Sequence, residues 1–228
     1  MSPIGKPSAR LGLEQLESRE VPTVTSYVAH LYQDILQRPA DTAGFSNWVD
    51  QLNNGSKTTG DVAIAFLTSD EYRSKIIVGY YQEQLGRSPS AAEVRTMYNR
   101  LVAGETQGSL RVTIFASDEF YNNAGRNSAR FVDNLYAQIL DRPASDAEVN
   151  YWVSVLDQSN GDRTTVARAF LFGAEYQRYE AIDAYVNLLQ RPADSAGLAY
   201  WTNQRVNGLT VEAMDAGFLS SAEYFNRG

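Results

Sequence analysis

The sequence predicts an all-α protein of four helical repeats of roughly 50 residues, arranged as two tandem units of 104. Three observations carry that expectation. Apolar residues recur at i, i+3, i+4 and i+7, and no segment sustains the alternation of a strand. An arginine closes four similar apolar stretches, "LYQDILQR", "YYQEQLGR", "LYAQILDR" and "YVNLLQR", at Arg38, Arg87, Arg142 and Arg191, with spacings of 49, 55 and 49. The landmarks then repeat without a gap at an offset of 104: Trp48 maps to Trp152, Leu52 to Leu156, Phe66 to Phe170, Tyr72 to Tyr176, Tyr81 to Tyr185, Gly104 to Gly208 and Glu119 to Glu223.

Taken in order, residues 1–23 lie outside the duplication and form a charged N-terminal arm, expected to be disordered or marginally helical and ended by Pro22. The first unit covers 24–124. Thr25 or Ser26 is expected to cap a first helix carrying Val28, Leu31, Tyr32, Ile35 and Leu36, with Pro39 as its stop. Asp41 or Thr42 caps a second helix with Phe45, Trp48, Val49 and Leu52 on one face, and "NNGS" (Asn53–Ser56) ends it. Thr59 begins a third helix through Val62, Ala63, Phe66 and Leu67, broken at "TSDEY" with Ser69 as the next cap. The helix from Asp70 runs on to Leu85, so the end of repeat one is the start of repeat two; the same fusion is expected from Ala174 to Leu189. "NNAGRNS" (Asn122–Ser128) interrupts the chain and marks the start of the second unit, 125–228. About a dozen helices follow from this reading.

Composition narrows the functions. With 43% hydrophobic and 21% charged residues, a core is available. A net charge of −7 argues against nucleic acid and anionic membrane surfaces as partners, since both select a basic patch. No apolar run is long enough for a membrane span. The absence of Cys excludes thiolate catalysis, disulfides and Cys-based zinc sites. His30 is the single histidine, its counterpart is Asn134, and no catalytic motif surrounds it. It reads as an exposed or half-buried helix residue.

The repeated residues read as structural. Trp48, Trp152 and Trp201 share a position that Met97 fills in repeat two, as expected of a packing residue rather than a ligand-stacking one. Arg38, Arg87, Arg142 and Arg191 sit where a helix C-terminus favours a cation, and they align with Glu71, Glu119, Glu175 and Glu223, which suggests one internal ion pair used four times. Asp41 and Asp194 alternate with Ser90 and Ser145, a substitution that suits N-capping and not calcium ligation. Gly44 and Gly197 alternate with Glu93 and Glu148, so the glycine is expected to allow close approach rather than an obligatory φ > 0. Acid pairs such as Asp70/Glu71 and Asp118/Glu119 lose a member at Ala174 and Ala222, which weakens a glycosidase reading. No catalytic residue, metal ligand or cofactor is expected.

The stretch 9–23 resembles an N-terminal motif of exported and surface proteins of planctomycetes and some other bacteria, through Arg10, Leu11, Leu13, Glu14, Leu16, Glu17, Arg19 and Pro22. The repeats resemble a bacterial all-helical family of unknown function common in secreted RTX-type and surface-layer proteins, with the signature L-Y-x-x-I-L-x-R-x-x-D-x-x-G-x-x-x-W followed by F-L-x-S-x-E-Y. That signature is similar to the phycobilisome linker domain, an all-α module that binds other proteins. Repeat two departs most, with Ser88 for Pro and Met97 for Trp. The resemblance implies a non-enzymatic module of an exported or cell-surface protein, without a recognisable Sec signal, that mediates protein assembly or adhesion. The alternative is a carbohydrate- or calcium-dependent surface-binding module. The expected partner is an unknown protein or a surface glycan, with no small-molecule substrate.

Overall fold

The computed structural model describes residues 22–227, so the N-terminal motif, apart from Pro22, lies outside the described residues. Every described regular element is helical, as the periodicity predicts. Repeat one holds α1 (Val24–Leu31), continued by a π-helical turn (Tyr32–Leu36), α2 (Thr42–Asn53) and α3 (Thr59–Leu67). Repeat two holds α4 (Asp70–Leu85), α5 (Ala91–Val102), α6 (Gln107–Phe115) and the short α7 (Asp118–Asn123). Repeat three holds α8 (Ser128–Ile139), α9 (Asp146–Gln158) and α10 (Arg163–Leu171); repeat four holds α11 (Ala174–Leu189), α12 (Ser195–Val206), α13 (Val211–Leu219) and the short α14 (Ala222–Phe225). Fourteen α-helices among the described residues exceed the expected dozen because α7 and α14 are separate short turns.

Local chemistry sets the boundaries. Thr23, rather than Thr25 or Ser26, caps α1, because its hydroxyl accepts from the Ser26 amide while the Ser26 hydroxyl accepts from the Thr23 amide. Asp41, Thr58, Ser69, Ser90, Ser145 and Asp194 each accept from the amide three residues on, and at Thr58, Ser90 and Ser145 the third helical residue returns the bond. Pro39 does not itself end the first helix. The chain has already turned at Gln37, which takes a left-handed conformation, and the Arg38 amide donates back to the Tyr32 carbonyl at 3.3 Å. This is a Schellman-like end widened by one residue, since the bond spans six residues rather than five. It recurs at Gly86/Arg87, Asp141/Arg142 and Gln190/Arg191, with the amides bonding to Tyr81, Tyr136 and Tyr185.

The cores cross the break at residues 124–127. One cluster joins repeat one to repeat four, with Tyr27, Val28, Leu31, Phe66, Leu67, Met214, Leu219 and Tyr224 buried together. A second joins the end of repeat two to repeat three through Phe115, Phe120, Phe131, Leu135 and Phe170. A smaller cluster, including Ile77, Met97, Leu101 and Leu110, sits within repeat two. Burying side chains of this size contributes about 1.5–3 kcal/mol each, so these clusters carry the fold.

The helix pairing explains the two large clusters. α3 packs on α13, and α6 packs on α10. A shift of 104 residues turns α3 into α10 and α6 into α13, so the two interfaces are one contact made twice. A matched hydrogen bond marks the equivalence: Thr59 Oγ1 donates to the Ser220 carbonyl at 3.3 Å, and Arg163 Nε donates to the Ala116 carbonyl at 2.9 Å. The four repeats therefore close on themselves about a pseudo-two-fold axis, and α1 meets α14 where the described chain ends.

Candidate functional site

The four corners between the first and second helices of each repeat hold the recurring Arg, Glu and Asp or Ser residues. The Schellman turn places each arginine over the tyrosine six residues earlier, with the guanidinium 4.7–5.1 Å from the ring centroid. Each then grips the glutamate aligned with it, 32 or 33 residues on, with two nitrogens. Arg38 binds Glu71 at 2.6 and 2.9 Å, Arg87 binds Glu119 at 2.5 and 2.6 Å, Arg142 binds Glu175 at 2.6 and 3.1 Å, and Arg191 binds Glu223. The pairs are bidentate, and their side chains retain about a third or more of their exposure. An ion pair this exposed is screened by water and contributes little to stability.

A second acid reaches each arginine by one of two routes. In repeats two and three it comes from the third helical residue: Glu93 lies 2.7 Å from Arg87, and Glu148 lies 2.8 Å from Arg142. Hydrogen bonds from the arginine first, and then from the capping serine, hold each of these carboxyls down to about 2. In repeats one and four the cap itself is the acid, Asp41 or Asp194, 3.6 Å from its arginine. The third residue is then Gly44 or Gly197, and a Cβ there would overlap the hydroxyl of Tyr32 or Tyr185. The corners use their charges internally, which leaves little for an external ligand.

The three tryptophans are half-buried rather than fully buried. Trp48, Trp152 and Trp201 pack on Phe66, Phe170 and Phe218, with ring centroids 5.7, 5.0 and 4.9 Å apart. Two carry an exposed neighbour edge-on: Tyr151 on Trp152 at 5.0 Å and Tyr200 on Trp201 at 5.1 Å. Those tyrosines are 59% and 56% exposed. His30 is half-buried, edge-on to the Tyr224 ring.

Sequence reasoning missed a cavity lined by charged residues. A cavity of about 170 Å³ lies between repeats two, three and four, walled by Tyr72, Tyr80, Phe172 and Tyr176. Arg111, Glu180, Arg205, Glu212 and Asp215 line it as well. Glu180 bridges the two cations, 3.6 Å from Arg111 and 3.4 Å from Arg205. Tyr176 donates to Glu180, and Arg111 donates to the Tyr176 hydroxyl with its guanidinium over that ring. Burial raises the Glu180 carboxyl against the pull of both arginines. Burial, and then the charges of Glu180 and Glu212, push Asp215 up to about 8, so it holds its proton at neutral pH. Three polar atoms are buried without a hydrogen-bond partner: Arg111 Nε, Arg205 Nε and Glu212 Oε2.

A second cavity of about 200 Å³ is the pseudo-symmetric counterpart of the first. Leu67, Gly104 and Thr106 line it where Leu171, Gly208 and Thr210 line the other. The contents differ. Ile76 and Leu101 stand where the first cavity has Glu180 and Arg205. The signal was present in the sequence as two places where one unit is apolar and its copy charged.

Among the described residues no helix is long and apolar enough to cross a membrane, and no group of three or more His, Asp or Glu is arranged to hold a metal ion. One family model, described as "Domain of unknown function (DUF4214)", matches residues 15–76, 111–179 and 182–227. The longest unmatched stretch, 77–110, falls in repeat two, which carries Ser88 and Met97. No curated protein and no solved structure matches the chain.

Proposed function

The chain belongs to this family of domains of unknown function, and from that premise we propose that it is a non-enzymatic assembly or adhesion module of an exported or cell-surface protein. The observation that carries the reading is the surface of repeat four. The α11–α12 hairpin exposes Val186, Tyr200 and Val206 at 49%, 56% and 48%, while its motif residues Arg191 and Glu223 are occupied with each other. Large apolar side chains left on one hairpin suit a protein partner better than water. The resemblance of the N-terminal segment to surface-protein motifs supports export.

The test uses the native cells. Tyr200 is replaced by a photo-crosslinking residue and the cells are fractionated after irradiation. The reading expects surface-accessible protein and a discrete crosslinked protein band. Protein confined to the cytosol, or no crosslink, overturns it. A second reading, glycan binding, draws on the Tyr151–Trp152 and Tyr200–Trp201 pairs, since exposed aromatic faces stack on sugars. Loss of glycan-array binding in the Tyr151→Ala, Tyr200→Ala double variant is its expected signature.

A further inference from the structure

We propose that the cavity between repeats two, three and four binds a free amino acid, its carboxylate held at Arg111 and Arg205 and its ammonium at Glu212 and Asp215. Arg111 Nε and Arg205 Nε are buried donors without an acceptor, and Glu212 Oε2 is a buried acceptor without a donor. The Arg205 side chain is only 10% exposed. Leaving a buried polar group without a partner is unfavourable, so each of these atoms favours a ligand that supplies one. A simple anion would meet the first two needs and a simple cation the third. A zwitterion meets both.

The charges fall into the same two poles. Arg111 and Arg205, bridged by Glu180, make a pole with one net positive charge. Glu212 and Asp215, one turn apart on α13, make the other, with one negative charge while Asp215 is protonated. Asp215 faces Glu180 from α11, Arg205 from α12, Glu212 from its own helix and Tyr72 from α4. No ion pair among the described residues joins the poles, and the residues of both line the same cavity. Tyr72, Tyr80, Phe172, Tyr176 and Val211 supply apolar wall for a side chain. The volume, about 170 Å³, is that of a cavity able to hold a benzene-sized body.

The fold supplies its own control. The counterpart cavity is built with Ile76 and Leu101, so neither charge of the Glu180–Arg205 pair is needed to close this interface. Replacing a buried ion pair by apolar residues is often neutral or stabilising. A charged pair held at such a position is therefore better explained by what it contacts than by what it stabilises.

The experiment is calorimetric titration of the full chain with three matched probes: leucine, 3-methylbutylamine, which lacks its carboxylate, and 4-methylpentanoate, which lacks its ammonium. Leucine is expected to bind, and each half-probe to bind at least about tenfold more weakly, the loss of one charged contact. The Glu180→Ile, Arg205→Leu double variant copies the counterpart cavity and is expected to fold and to lose leucine binding. Glu212→Gln, with folding checked by circular dichroism, is expected to weaken it about tenfold. No leucine binding at millimolar concentration overturns the proposal. So does equal binding of either half-probe, or unchanged binding in the double variant or in Glu212→Gln. These outcomes do not bear on the surface reading, which depends on the exposed α11–α12 hairpin.

Discussion

At every corner one residue turns left-handed: Gln37, Gly86, Asp141 and Gln190 have φ of 51°, 68°, 46° and 55°. Only one is glycine, and a side chain in that region costs about 1 kcal/mol or more. Asp141→Gly and Gln190→Gly are therefore expected to stabilise the protein by about 0.5–1 kcal/mol each, read from urea unfolding. Titration acts at the same scale with two opposite signs. Glu93 and Glu148 are held down to about 2, so the folded state binds fewer protons than the unfolded one between about 2 and 4.5. Their contribution is present above about 4.5 and is lost as pH falls through about 2. Asp215 is raised from 3.8 to about 8, so the folded state holds an extra proton in that window and stability declines as pH rises through it. Melting temperature against pH is expected to lose part of its acid slope in Glu148→Gln, and part of its decline between about pH 4 and 8 in Asp215→Asn.

Among the elements, the short α14 does more than its length suggests. Tyr224 is fully buried, packs edge-on to Tyr27 at 5.8 Å, and donates to Asp34 at 2.7 Å. Arg227 grips the same carboxylate at 2.5 Å and also donates to the Leu188 carbonyl at 2.5 Å. Tyr224→Ala is expected to cost about 3–5 kcal/mol in urea unfolding, from the cavity and the freed Asp34. The contrast with the sequence lies at this scale. α4 and α11 read through from one repeat into the next because a Ser or Gly cap is followed by unbroken helical periodicity to Leu85 and Leu189. The Arg–Glu grips were legible because both partners recur together. The tyrosine under each arginine recurs too, but its role needed the left-handed turn to fold the guanidinium back. The charged cavity was not legible for a specific reason. Glu180, Arg205, Glu212 and Asp215 differ from Ile76, Leu101, Gly108 and Arg111, and reading by repetition discards whatever does not repeat.

Over the whole molecule, the contact between repeats one and four is as substantial as that between repeats two and three, although only the second is bridged by a short loop. Thr59 and Ser220 lie 161 positions apart and still share a hydrogen bond. No local pattern reports such a pairing, so closure was invisible before the structure. It has a direct test. Residues 1–125 and 126–228, expressed together as separate chains, are expected to co-purify as a one-to-one complex, because both interfaces are non-covalent. Either half alone leaves both interfaces uncovered and is expected to aggregate or to self-associate, measurable by sedimentation.

The short link at Ala124–Asn127 has one more consequence. Two identical chains meeting on a two-fold axis must carry the same residue in both of their cavities, so any charge introduced into one is introduced into the other. Joining the halves into one polypeptide lifts that requirement. Ile76 and Leu101 can go on serving as plain packing while Glu180 and Arg205 take up different chemistry. The fold keeps one conservative copy of the interface and has a second in which to be inventive.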